Sequence, residues 1–310
     1  MVTESFLCPT KIIFAGEHFV VHGAQALAMP VQPFNKVTIK ESDELVFKTP
    51  WAVLRGADCI RQNFFLSPVI NWLNQNNLKT NYELSYEVNG FKGMGNSASA
   101  AALTAKSLLF VNGIDNDLLV KELALECENL AHGGRASGVD VHAVLSKKPF
   151  LFRKCEQPVE ISFSLPKGTS MLVATTFSGV AGKTSLLIKK FSNAYAGILS
   201  QKLDEYSSLL ADLLAHLDDP IKVGECMDSM HDLLQPVTTS KIEEVRRLAR
   251  SEGALGSKVS GAGGPGSIVI ILCWTSDTEN IIKKLSKHSF RAFISKIETR
   301  GIIKATAENE

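Results

Sequence analysis

Residues 81–110 pass from alternation to glycine to helix without a spacer. Asn81–Val88 alternates apolar and polar side chains, the period of a strand with one buried face. A glycine-rich turn, Gly90–Gly95, follows, and a helix is predicted from Ser97 to about Phe110. Such a junction is restrictive. Glycines let the backbone approach a ligand closely, and the first turn of a helix leaves N–H groups unpaired. With the helix dipole, Gly93-Met94-Gly95-Asn96-Ser97 forms an anion site, and Ser97 can cap the helix or offer an oxygen to a metal. The plain alternative is an ordinary glycine turn with a serine cap.

A second glycine-rich stretch lies far downstream. Lys258-Val-Ser-Gly-Ala-Gly-Gly-Pro-Gly-Ser267 puts small residues at 261–264 and 266, directly before an apolar strand over Ser267–Trp274. A loop this free of side chains points to packing against something other than protein; the alternative is a bare interdomain turn. A third stretch, Gly182-Lys183-Thr184, follows a strand, precedes a helix and so invites a P-loop reading. Spacing rejects it: the P-loop needs glycine five residues before the Gly of its Gly-Lys-Thr. Here that position is Phe177, whose side chain would obstruct a phosphate cradle.

Elsewhere, Lys11–Phe14 and Phe19–Val21 read as short strands around a turn, and Val37–Lys40 with Leu45–Lys48 as a hairpin pair. Asp117–Ala131, with apolar positions at Leu118, Leu119, Leu123, Leu125 and Leu130, is predicted to be a helix, followed by a Gly/Ser-rich loop over His132–Asp140. The second half is predicted to hold a strand at Ser170–Thr176 and helices over Thr184–Ser200, Leu203–Leu217, Lys241–Ser251 and Thr278–Ser286. A last strand falls near Arg291–Ile297. This order fits an α+β sandwich better than a doubly wound sheet. A chain of 310 residues exceeds one small core and fits two domains.

Charge removes some function classes. With 33 basic and 32 acidic residues the net charge is +1, so no global field favours nucleic acid or an anionic membrane, and any anion site must be built locally. No run of about 18 apolar residues could cross a bilayer. The first residues lack the basic and apolar regions of a signal peptide. Six cysteines at 8, 59, 127, 155, 226 and 273 show no metal-ligand spacing. They read as reduced thiols packed as small hydrophobes, which places the protein in the cytoplasm.

The acid–base candidates are few. Lys11 sits inside Pro9-Thr-Lys-Ile-Ile-Phe14, where a lysine is unusual unless its ammonium reaches a partner. Asp140 ends Ser137-Gly138-Val139-Asp140; a lone aspartate there is usually a cap or turn residue. Glu128, one helical turn before His132, could be only a solvated face. His18, His22, His132 and His142 share no metal-binding period and read as turn or pocket residues.

In this order the segments resemble the GHMP small-molecule kinases, and among them the mevalonate kinases. Pro9–Gly23 is similar to the family's opening motif almost residue for residue, and Gly93–Ser99 to its phosphate-binding motif. His132–Asp140 looks like the loop bearing the catalytic aspartate, Thr176–Ile188 like the substrate-facing segment, and Met230–Gln235 with Lys258–Ser267 like the C-terminal pair. The resemblance implies an α+β fold of two domains. Residues 1–165 would be similar to ribosomal protein S5 domain 2, and residues 166–310 ferredoxin-like, with ATP between them. Asp140 would be base or charge partner for the attacking hydroxyl, with Lys11 beside it. Gly93, Met94, Gly95, Asn96, Ser97, Ala98 and Ser99 would take the nucleotide phosphates, and Ser97 and Glu128 would hold Mg²⁺. Glu17, His18, Thr184 and Gly261-Ala262-Gly263 would face the substrate.

The activity so implied is ATP- and Mg²⁺-dependent phosphorylation of the mevalonate 5-hydroxyl, in isoprenoid biosynthesis. The partner would be a small molecule, with no nucleic acid and no membrane; a homodimer is allowed. The alternatives are a sister kinase acting on phosphomevalonate, the mevalonate 3-hydroxyl or another small alcohol, and a catalytically dead ligand-binding homologue. A phosphorylated substrate would call on basic residues such as Arg135, Lys183 and Lys92. The chain departs from the family at Asn96, where a serine is usual, at Phe91 and Pro265, where glycine is usual, and at Val141-His142 after the aspartate. These departures leave subgroup and substrate open.

Overall fold

The computed structural model describes residues 3–134, 136–176 and 184–306. In the first half β1 (Thr3–Ala15), β2 (Ala26–Glu41), β3 (Val46–Thr49) and β4 (Ala52–Arg55) precede two short helices, α1 (Ala57–Gln62) and α2 (Ser67–Gln75). Then come β5 (Tyr82–Glu87), α3 (Asn96–Val111), α4 (Asp117–Ala131), α5 (Val139–Leu145), β6 (Phe150–Phe152) and β7 (Val159–Glu160). The second half runs β8 (Thr169–Thr175), α6 (Thr184–Ala194), α7 (Leu199–Ala215), α8 (Pro220–Asp232), α9 (Ser240–Arg250) and β9 (Ala254–Ser260). It closes with β10 (Ile268–Trp274), α10 (Thr278–Lys287), β11 (Arg291–Ser295) and β12 (Ile303–Lys304).

Two sheets result. The first has the order β12-β1-β2-β5-β3-β4, with β6 on β2 and β7 on β6; the second has the order β11-β8-β10-β9 and is antiparallel throughout. The C-terminal β12 returns to the first sheet, where Phe6 and Leu7 face Lys304 and Ile303.

β1 explains why the sheets meet where they do. Ten consecutive residues of this strand, from Phe6 to Ala15, are buried, so both of its faces are covered. On one side Phe6 and Cys8 pack with α2, α3 and α4 through Leu73, Leu103, Leu108 and Cys127. On the other, Ile12 and Phe14 share a core with Met171, Val173, Ile268 and Ile270 of β8 and β10. Each such aliphatic or aromatic side chain contributes roughly 1.5–3 kcal/mol on burial. This double core holds the end of β1, the starts of α3, α5 and α6, and the loop after β9 in one place.

Several local expectations are corrected. Phe19–Val21 is a 3-10 turn, Phe19–His22, rather than a strand; His18 at φ 61° and Gly23 at φ 91° bend the chain on both sides of it. Val37–Lys40 and Leu45–Lys48 do not form a hairpin, because β5 inserts between them: it pairs with β2 antiparallel and with β3 parallel. Loop 132–140 ends early, since α5 begins at Val139 and Asp140 lies in its first turn. The helix expected over Thr184–Ser200 stops at Ala194, and Gly197 at φ 85° separates it from α7. Helix α8, capped by the Asp219 side chain on the N–H groups of Ile221 and Lys222, had no sequence reading. Five cysteines are buried as expected, but Cys155 is exposed.

Candidate active site

A cavity of about 410 Å³ lies where these elements converge. Lys11 and Ile13 of β1, Glu17 and His18 of the following turn, and Gly93 to Ser97 form part of its wall. Glu128, Asp140, Thr184 and the loop 260–267 complete it. The starts of α3, α5 and α6 all border the space, through Ser97, Asp140 and Thr184. Helix N-termini direct unpaired N–H groups and positive dipole ends outward, so a cavity bordered by three of them suits an anion.

The buried lysine of β1 has its partner. Lys11 Nζ lies 2.9 Å from Asp140 Oδ1, with the lysine side chain 3% exposed and the aspartate 23%. The main chain of Lys11 is tied to the glycine turn as well, its N–H donating to the Met94 carbonyl at 2.9 Å. Gly95, at φ 75°, is required here: a Cβ would stand 2.7 Å from Lys11 Cγ. The glycine therefore opens the helix start and lets the lysine stem pass across it.

Asn96 has a distinct task in this chain. Its side-chain amide donates to the carbonyls of Gly90 (3.0 Å) and Phe91 (3.3 Å), while its Oδ1 accepts from Asn35 Nδ2 at 3.2 Å. Asn35, buried on β2, also accepts the N–H groups of Asn89 (2.9 Å) and Gly90 (3.2 Å) through its Oδ1. Two asparagine side chains thus hold the turn closed before the helix begins.

Glu128 approaches from α4. It is 5% exposed, and its Oε2 accepts the Val141 N–H at 3.1 Å. Burial, reinforced by the Asp140 carboxylate, pushes its carboxyl up to about 8. Among the described residues it forms no ion pair, so a buried negative charge at this position wants a cation.

The opposite wall is set by His18. Its Nε2 donates to the Ala262 carbonyl at 2.8 Å, and its ring stacks on Phe191 of α6 at 4.8 Å. Burial lowers its pKa to about 4, so the ring is neutral and the proton on Nε2 leaves Nδ1 a lone pair. That Nδ1 is buried and has no hydrogen-bond partner among the described residues. Glu17 is in a fully buried ion pair with Lys258 of β9, at 2.5 Å. Burial pushes the Glu17 carboxyl up and the Lys258 ammonium down, each opposed by the charge of the other.

Most residues singled out from the sequence come together: Lys11, Glu17, His18, Gly93, Gly95, Asn96, Ser97, Glu128, Asp140, Thr184, Gly261, Ala262 and Gly263 all line the cavity. Three do not. Met94 is turned into the shared core, and Ala98 and Ser99 are buried on α3, so their side chains face protein. Arg135 and Lys183, with Gly182 and Phe177, lie outside the described residues. Sequence reasoning missed Asn35 and the roles of Lys258 and Ser260. Lys258 carried no signal like that of Lys11, since its neighbours Gly256, Ser257 and Ser260 do not make an apolar run.

Residues 209–290 match the family model described as GHMP kinases C terminal. The chain is 28% identical to the mevalonate kinase of Aeropyrum pernix, over 94% of this chain and 95% of that protein. Its fold is similar to the crystal structure of the Methanococcus jannaschii mevalonate kinase, with a TM-score of 0.81 at 23% identity, covering 96% of this chain and 98% of that one. It is also similar to the structure of L. major mevalonate kinase in complex with R-mevalonate, with a TM-score of 0.73 at 20% identity, covering 95% of this chain and 96% of that one. The motif resemblance to GHMP kinases, and to mevalonate kinases among them, therefore holds, and so does the α+β fold it implied.

Proposed function

We propose that this chain is an ATP-dependent kinase that phosphorylates the 5-hydroxyl of mevalonate. The observation that carries the chemistry is the Lys11–Asp140 pair at 2.9 Å, set in a cavity between the start of α3 and the 261–263 loop. The full-length likeness to mevalonate kinases supports the choice of alcohol. ATP would lay its phosphates on the Gly93–Ser97 turn, and the alcohol would lie toward His18, Thr184 and Ala262. The division at residues 165 and 166 goes with this reading, except that β12 (Ile303–Lys304) from the second part joins the first sheet.

Phosphoryl transfer asks the protein mainly for position and charge. Asp140 accepts the hydroxyl proton or balances its charge as the oxygen attacks the γ-phosphorus. The bond to the β,γ-bridging oxygen breaks and ADP leaves with that electron pair. Lys11 holds the ionising hydroxyl and the transferring oxygens by its positive charge. Ser97 and Glu128 supply hard oxygen donors of the kind Mg²⁺ takes, and the cationless burial of Glu128 fits that role; the ion would neutralise phosphate charge. No described helix is long and apolar enough to cross a membrane; the dispersed cysteines support a cytoplasmic enzyme.

The test is ADP release with mevalonate, phosphomevalonate, homoserine and galactose side by side. Turnover is expected with mevalonate. Silence on mevalonate together with activity on another alcohol overturns the substrate, and silence on all four overturns the kinase reading.

A further inference from the structure

Three contacts join the end of β1 and the turn after it to β9 and the loop beyond it. Ser260 Oγ donates to the Ile13 carbonyl at 2.8 Å and accepts the Ile13 N–H at 3.1 Å. Lys258 Nζ donates to Glu17 Oε1 at 2.5 Å and to the Val259 carbonyl at 3.0 Å. His18 Nε2 donates to the Ala262 carbonyl at 2.8 Å. Residues 258 and 260 alternate on one face of β9, and 262 continues beyond it, so one edge of the second sheet grips residues 13–18 at three points.

The middle contact is the unusual one. The Lys258 side chain is 0% exposed and that of Glu17 1%, and the peptide beneath Lys258 is itself braced. The Val259 N–H donates to His231 Nδ1 at 3.1 Å, and His231 Nε2 donates to Glu243 at 2.9 Å. A buried ion pair is a poor stabiliser compared with apolar packing, so its presence calls for another reason. Glu17 adjoins His18 and lines the cavity; the charged and titratable groups around the pair include Lys11, His18, Tyr206 of α7 and His231 of α8. Among the described residues, no hydrogen bond joins Lys258 or Glu17 to the Gly93–Ser97 turn.

We infer that Lys258 is a positioning residue for the alcohol: through Glu17 it fixes the Gly16–His18 turn, and so the His18 ring, against the Ala262 loop. It acts on the alcohol wall and leaves the nucleotide wall alone. This inference rests on reading the cavity as an alcohol-kinase site.

The experiment compares wild type, Lys258→Met and the double variant Lys258→Met/Glu17→Gln, which leaves no buried charge unpaired. Steady-state constants for mevalonate are measured, and the dissociation constant of ADP is measured by calorimetry without alcohol. Lys258→Met is expected to lower kcat/KM for the alcohol about 100-fold, mostly through KM, and the double variant about tenfold. ADP affinity should stay within about threefold in both, a split that a purely structural role would not produce. An alcohol kcat/KM within about threefold of wild type in the double variant overturns the inference, as does equal weakening of alcohol and ADP. Should Lys258→Met fail to fold, the double variant decides. If wild type prefers another of the four alcohols, the substrate reading falls while the split is read on that alcohol; if it turns over none, both fall.

Discussion

The two glycine-rich segments that face each other across the cavity have similar composition and are held in different ways. Gly93–Ser97 is fixed by side chains: the Lys11 stem crosses Gly95, and Asn35 and Asn96 tie down residues 89–91. Gly261–Ser267 is fixed by its own main chain. The Gly264 N–H donates to the Val237 carbonyl at 2.7 Å, the Ala262 carbonyl receives His18, and the Ser267 carbonyl receives both the Thr176 N–H (3.0 Å) and its hydroxyl (2.7 Å). The first segment thus shares parts with the reacting pair, whereas the second is a shaped cover whose position depends on other strands. Damage to the first should appear in kcat and nucleotide binding, and damage to the second in alcohol KM and stability.

The largest effect tests where the chemistry lies. Asp140→Ala should lower kcat about 1,000-fold while ADP affinity, measured by calorimetry, stays near wild type. Retained turnover would remove Asp140 from the reaction. Next comes the pair of glycine replacements. Gly95→Ala puts a methyl group against Lys11 and should cost about 100-fold in kcat. Gly263→Ala, at φ 73° and with a Cβ 2.7 Å from the Val237 carbonyl, should instead cost about 1–2 kcal/mol of stability in urea titration, with a several-fold rise in alcohol KM. Equal kinetic profiles for the two would erase the distinction between the walls.

A smaller effect follows pH. The folded-state pKa of Glu128 is raised from 4.5 to about 8, so the stability it contributes is fully present below pH 4.5 and is lost as pH rises through 8. In the nucleotide-free enzyme Glu128→Gln should therefore flatten the fall in Tm between pH 5 and pH 9, by roughly a few degrees at the alkaline end. An unchanged slope would show that the carboxyl is already compensated. The smallest effect is expected for Asn96→Ser, the residue usual in the family. It loses the amide bonds to Gly90 and Phe91 and should raise the KM for ATP about threefold without moving that for the alcohol.

Local pattern was a good guide where one face of an element meets one core. The alternation of 82–87, the leucine spacing of 117–131 and the stretches 240–250 and 278–287 each announced their element within two residues, because their periods report burial directly. It failed where a distant partner decides. No feature of 37–48 reveals that β5 will slip between its two strands, and the His132–Asp140 glycines hide a helix that starts at Val139. Lys11 stood out as a lysine inside an apolar run, and Asp140 as an acid closing a glycine-rich loop. Glu17 was visible only as a polar residue in a turn, because its partner lies 241 positions away.

By itself, the chain determined which segments are strand, helix or glycine turn wherever side-chain period or missing side chains set the backbone, and it marked Lys11 as a lysine in need of a partner. The resemblance placed Lys11 beside Asp140, and only the tertiary structure decided that Asn96 latches a turn instead of facing a ligand alone and that Lys258 grips Glu17. Backbone preference acts over a few residues, whereas pairing a buried charge is a demand that any segment brought close enough can meet.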